Sequence, residues 1–139
     1  MAKIIFDGKG IILGRLGTQV AKELLKGNEV IVINSREVIV SGRKEIVVKR
    51  ILQKQQMGRG GSMKGPKYPK VADRLLKRMI RGMLPWDRAK GKEAYKRLRC
   101  FVGNGDVKDE ELKNTRKLNI KKPLKSATMN EIVKALKSE

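Results

Sequence analysis

Four β-branched residues in a row, Val30-Ile31-Val32-Ile33, constrain the fold of this chain more than any other feature. A strand with one wet face alternates apolar and polar residues. An unbroken run fits a strand covered on both faces, as in a parallel sheet. The residues before it agree. Ile4-Ile5-Phe6, closed by Asp7-Gly8-Lys9-Gly10, reads as a first strand and its turn. From Leu13 to Leu25 the apolar period becomes helical. Leu13, Leu16, Val20, Ala21, Leu24 and Leu25 fall within one half of the wheel, with Lys22, Glu23 and Lys26 outside it. Gly27-Asn28 stops the helix. Strand, helix, buried strand is the βαβ order of an α/β fold.

Further along, Val38-Ile39-Val40 is a second short apolar run, closed by Ser41-Gly42. Residues 43–56 turn helical, with Val47, Val48, Ile51 and Leu52 in one arc and Arg43, Arg50 and Lys54 beside it. Residues 57–70 hold four Gly, two Pro and four Lys or Arg without periodicity, and read as a loop. The segment from Val71 to Leu84 is the clearest helix. Leu75, Leu76, Met79, Ile80 and Met83 take one side; Lys70, Arg74, Lys77, Arg78 and Arg81 take the other. A short helix is expected over 92–99 and a last strand over Cys100-Phe101-Val102-Gly103. Residues 104–126 are polar and without a clear period. Ile132, Val133 and Leu136 mark an amphipathic helix over 129–137.

At 139 residues, the expectation is one domain, 1–139. Its core would span about 3–103, followed by a polar C-terminal segment over 104–139. Against 34 Lys plus Arg stand only 14 Asp plus Glu, a net charge of +20. So many like charges on a small fold repel unless an anionic partner neutralises them. Nucleic acid is the commonest such partner, because each phosphate contact releases a condensed counterion. An anionic membrane surface is the alternative. Residues 43–99 carry 19 Lys or Arg and 4 Asp or Glu, a net of +15, while the remainder nets only +5.

Most catalytic classes fall away. No His is present, so His triads, His metal ligands and His acid–base chemistry are absent. The single cysteine, Cys100, forms no intrachain disulfide or cysteine cluster and reads as a small core residue. No apolar window is long enough to span a membrane, and the N-terminus lacks the shape of a signal peptide. A cytoplasmic location is expected. The glycines Gly8, Gly10 and Gly14 miss the dinucleotide spacing and read as a strand-to-helix turn. Gly60 and Gly65 have phosphate-loop spacing, but Pro66-Lys67 follows where Lys and Ser or Thr are needed. Asp106, Asp109, Glu110 and Glu111 read as a solvated acidic turn rather than a magnesium site. No cofactor, metal or small-molecule substrate is expected.

The basic loop and helix are different in kind. Glycines let backbone approach phosphates, and long Lys and Arg arms supply charge-assisted bonds. Arg74, Arg78 and Arg81, at i, i+4 and i+7, form a row fitted to a phosphate strand. On this reading their charges repel in the free protein, so removing Arg78 should not destabilise it. Tyr68, Trp86 and Tyr95 are few, which favours recognition of folded RNA by shape and backbone over base stacking. The candidate RNA contacts are Arg43, Lys44, Arg50 and Lys54 on the 43–56 helix, and Arg59, Lys64, Lys67 and Lys70 in the loop. Arg74, Lys77, Arg78 and Arg81 follow on the 71–84 helix, then Arg88, Lys90 and Lys92.

Several of these segments resemble a known family. Leu13-Gly14-Arg15-Leu16-Gly17-Thr18, Val30-Ile31-Val32-Ile33-Asn34, Ser41-Gly42, Lys64-Gly65-Pro66 and Arg81-Gly82-Met83-Leu84-Pro85 are similar, in order and interval, to the L13 family of large-subunit ribosomal proteins. The likeness runs from about residue 3 to 103. The lack of the His-containing stretches of bacterial members resembles the archaeal or eukaryotic type. The resemblance implies a three-layer α/β/α fold with a four-stranded, mainly parallel sheet, extended by the basic loop and helix. It also implies a non-enzymatic protein that binds large-subunit ribosomal RNA, neighbours other ribosomal proteins and joins early in assembly. The competing expectation is a Rossmann-like nucleotide-binding module or enzyme, which would bind a free nucleotide saturably.

Overall fold

Strand β1 (Lys3–Asp7), helix α1 (Leu13–Leu25) and strand β2 (Glu29–Ile33) form the expected βαβ opening in a computed structural model of the chain. The structure describes residues 2–57, 65–105, 107–108, 111, 115–118 and 121–138. β1 and β2 run parallel, with Ile4 beside Val30 and Phe6 beside Val32. All four residues of the β-branched run are buried. Val30 and Val32 face the main core with Leu16, Val20 and Leu24 of α1. Ile31 and Ile33 face the other way, into a smaller cluster with Ile5, Val107 and Phe101. α1 ends where expected, with Gly27 at φ +96°, a left-handed position that suits glycine.

The turn between β1 and α1 explains its glycines. A Cβ on Gly8 would lie 2.7 Å from the Val38 side chain, and Gly10 sits at φ +71°. Close approach and a left-handed turn account for both without a ligand.

After β2 the chain leaves the sheet. Asn34 takes a left-handed conformation at φ 56°, and a single 3-10 turn follows over Ser35–Glu37. The buried Ser35 hydroxyl donates to the Phe101 carbonyl, fixing this corner. Strand β3 (Ile39–Ser41) therefore does not join β1 and β2. It pairs antiparallel with a strand over Ser126–Thr128. The remaining elements are α2 (Lys44–Gln56), α3 (Ala72–Arg81), α4 (Ala89–Lys96), β4 (Leu98–Cys100), that second strand of the pair, β5 (Ser126–Thr128), and α5 (Met129–Lys137). A capping box starts α5: Thr128 accepts from the Glu131 N–H, and Glu131 reaches back to the Thr128 N–H.

The four-stranded sheet is thus corrected. Among the described residues the main sheet has three parallel strands in the order β1-β2-β4, and β3 with β5 forms a separate pair. Among the described residues the fourth edge position is held by Arg116 alone. Arg116 bridges Phe6, its N–H donating to Ile5 and its carbonyl accepting from Asp7. A helical third layer is not among the described elements over the Ile5, Ile31 and Ile33 face. Arg116 also reaches Glu23 at 3.4 Å. The Asn28 amide, then Lys26 and Arg116, hold the Glu23 carboxyl below the usual carboxylate range.

Two boundaries also shift. The helix expected over 92–99 is α4, three residues earlier at each end, and the last strand starts at Leu98 rather than Cys100. Burial decides this: Leu98 pairs with Val30 and is fully buried, a place no exposed helix end provides. Cys100 pairs with Val32 and packs against the core, as expected of a small apolar residue. Burial pushes its thiol up to about 12. At pH 8 only on the order of one molecule in ten thousand would carry the thiolate. Alkylation of the native protein should therefore be far slower than in urea. Equal rates in the two conditions would place the thiol in solvent.

One core cluster collects residues from each of the helices α1 to α5 named above. α1 supplies Leu16, Val20 and Leu24, and α3 supplies Leu75, Leu76 and Ile80. Val48 and Ile51 come from α2, Ala94 from α4, and Ile132, Val133 and Leu136 from α5.

Candidate nucleic-acid interface

Helix α3 is built of two faces, and burial separates them. Leu75, Leu76 and Ile80 are fully buried, while Arg74 is exposed and Lys77, Arg78 and Arg81 are half-buried. The expected apolar side needs two corrections. Met79 is only half-buried at the margin of the core. Met83 lies beyond the helix, which ends at Arg81 with Gly82 as its C-cap. It is 39% exposed, yet its sulfur fills the notch over Gly17 of α1, where a Cβ would come within 2.6 Å. The two arginines in the last turn, Arg78 and Arg81, meet the negative end of the helix dipole, which offsets part of their mutual repulsion.

Three of the four α3 cations named above rest on aromatic rings. Arg81 lies over Trp86 at 3.9 Å from the ring centroid, Arg78 over Tyr68 at 4.6 Å and Lys77 over Tyr95 at 4.8 Å. Lys54 of α2 approaches the Tyr68 ring at 5.5 Å. Arg78 Nε also donates to the Lys67 carbonyl at 3.3 Å. Trp86 and Tyr95 meet edge to face, 5.2 Å apart. Each such cation–ring contact contributes about 0.5–1 kcal/mol at an exposed site. Removing Arg78 therefore costs the free protein a contact, contrary to the expectation from charge repulsion alone. Burial raises the Tyr95 hydroxyl above its ordinary range, and Arg81 and Arg78 oppose that shift.

Around this row the structure assembles several other predicted residues. The segment over 65–71 folds back on α2, where Gln55 donates to the Tyr68 carbonyl at 3.0 Å. That brings Lys67 beside Arg78 and Lys54 beside Tyr68. Lys70 is exposed just before α3, and Arg88, Lys90 and Lys92 are exposed at the start of α4. α4 is seated by Gly91, whose missing Cβ leaves room for the Pro85 carbonyl. Arg50 is exposed on α2. Arg43 and Lys44 stand apart, at the other end of α2, about 15 Å of helix from Lys54. They border an open depression of about 570 Å³ with Lys122 and Lys125, two cations that sequence reasoning missed. Arg59 and Lys64 lie outside the described residues, as does the 58–64 part of the expected 57–70 loop.

Among the described residues no group of His, Cys, Asp and Glu is placed to hold a metal ion. Glu111 of the acidic turn is paired with Lys3 at 3.2 Å; Asp106, Asp109 and Glu110 lie outside the described residues. No described helix is long and apolar enough to cross a membrane.

Comparison with known proteins meets this architecture directly. The sequence profile of ribosomal protein L13 matches residues 2–106, which run from β1 through the cationic helices to beyond β4. The chain belongs to the ribosomal protein L13 family. Three archaeal relatives, each named large ribosomal subunit protein uL13, place it further. The Archaeoglobus fulgidus protein is 42% identical over 99 residues, 71% of this chain and 62% of its own length. The Methanopyrus kandleri protein is 44% identical over 99 residues, 71% of this chain and 61% of its own. The Methanocaldococcus jannaschii protein is 35% identical over 129 residues, 91% of this chain and 94% of its own. The shared name of these relatives assigns those proteins to the large ribosomal subunit. In this L13-family chain, β5 and α5 lie beyond the matched region, yet Ile132 and Leu136 are fully buried in the common core.

Proposed function

We propose that this chain is a structural constituent of the large ribosomal subunit in the cytoplasm. It binds large-subunit ribosomal RNA and supports early subunit assembly, beside neighbouring ribosomal proteins, as one domain over 1–139. The observation that carries this reading is the cationic row of α3, backed by the buried Leu75, Leu76 and Ile80. A rod anchored in the core on one side and charged on the other presents its arms to RNA phosphates at fixed spacing. The proposed contacts are Arg74, Lys77, Arg78 and Arg81 of α3, with Lys54, Lys67, Lys70, Arg88, Lys90 and Lys92 around them. Arg43, Lys44 and Arg50 extend the surface along α2. Arg59 and Lys64, outside the described residues, are proposed as contacts from the sequence alone.

Sucrose-gradient fractionation of a cell lysate tests this directly. The chain should sediment with large subunits and with whole ribosomes at moderate salt, and high salt should release it. A chain found entirely in the soluble top fractions at low salt would refute the reading.

A further inference from the structure

Trp86, Tyr95 and Tyr68 bring no charge to the surface, yet the described cations of greatest interest rest on them. Arg81 stands 3.9 Å above Trp86, near the contact distance of stacked planar groups, and Arg78 stands 4.6 Å from Tyr68. The support is itself supported. Tyr95 meets Trp86 edge to face at 88°, and the turn carrying Trp86 is seated where Gly91 admits the Pro85 carbonyl. Lys77 covers Tyr95 at 4.8 Å, so cations and rings alternate along one surface.

We propose that Trp86 and Tyr68 are positioning residues for RNA recognition, holding the Arg81 and Arg78 guanidinium groups in place before a phosphate arrives. The proposal rests on the RNA-binding reading above. An arginine side chain has many rotamers, and ordering it at an interface opposes binding. A guanidinium lying on a ring has lost that freedom on folding. Its N–H groups lie in its own plane, and those not already engaged, as Arg78 Nε is by the Lys67 carbonyl, stay available at the edges for a phosphate. Ring and phosphate therefore do not compete for the same part of the group. Arg74, exposed and without a ring contact among the described residues, lacks this advantage.

The inference separates from simple electrostatics because replacing a ring changes no charge. The experiment is a filter-binding titration of purified large-subunit ribosomal RNA with the full chain and four variants: Arg81→Ala, Trp86→Ala, Trp86→Phe and the Arg81→Ala, Trp86→Ala double. Circular dichroism gives the folded fraction of each. Trp86→Ala should weaken binding per folded molecule by roughly two- to fivefold, the equivalent of one exposed cation–π contact. Trp86→Phe should restore most of that loss. The double variant should bind no more weakly than Arg81→Ala, because the ring acts through the arginine. Wild-type affinity in Trp86→Ala would overturn the proposal. So would additive losses in the double variant, which would put the ring itself on the RNA. A lowered melting point in Trp86→Ala with unchanged binding per folded molecule would make the ring purely structural. Wild-type affinity in Arg81→Ala would instead sink the RNA reading of this face.

Discussion

Replacing Arg74, Arg78 and Arg81 together by Gln should lower the affinity for large-subunit ribosomal RNA on the order of a thousandfold. Hydrogen bonds to charged groups contribute about 1.5–3 kcal/mol each, and three at the lower bound reach that factor. The loss should be accompanied by a shallower salt dependence. Each phosphate contact removed takes roughly one unit off the slope of log K against log salt, so the slope should fall by about three. Titrations between low and moderate salt measure both quantities. The free protein should change little. Losing the rings' contacts with Arg78 and Arg81 costs about 0.5–1 kcal/mol each, partly offset by relief of like-charge repulsion along α3. An unchanged slope with unchanged affinity would remove α3 from the interface.

The opposite face of the same helix should fail as a fold. Leu76 and Ile80 are fully buried between α1, the sheet and α5. Truncating either to Ala removes buried carbon and leaves a cavity, at a cost of about 2–5 kcal/mol. Small domains hold only about 5–15 kcal/mol in total, and this one also carries a net charge of +20. Urea melts should show a large fall in midpoint for Leu76→Ala and Ile80→Ala. Met79→Ala, at the half-buried margin, should show a smaller one. Ile46→Ala, 47% exposed on α2, should stay within about 0.5 kcal/mol of the parent. If Leu76→Ala melted with the parent, the assignment of that face to the core would be wrong.

The sequence by itself determined three helices and the central strand, whose signals are local. α1 over Leu13–Leu25 and α2 over Lys44–Gln56 follow from the 3.6-residue period and their stop signals. α5 over Met129–Lys137 follows in the same way. The Val30–Ile33 run announced a strand buried on both faces, because no half-wet strand tolerates four consecutive apolar residues. The surplus of cations over 43–99, and the split of α3 into apolar and basic sides, were also legible, since charge and helical period are properties of the chain alone.

Only the tertiary structure decided what depends on residues distant in sequence. Val38-Ile39-Val40 showed only a short apolar run, with no sign of its partner. The left-handed Asn34 and the 3-10 turn after it sent β3 to Ser126–Thr128, from a polar stretch with no strand signal of its own. The edge beside β1 went to Arg116, whose backbone bonds to Ile5 and Asp7 no local pattern announces. Leu98 became a strand residue because Val30 lay beside it. The candidate surface divides along the same line. Composition marked Arg78 and Arg81 as cations, and the scarcity of aromatics argued against stacking. Folding brought Tyr68 and Trp86 under those two guanidinium groups. Side-chain type is written residue by residue, but the partner of a ring or a strand edge exists only once the chain has closed on itself.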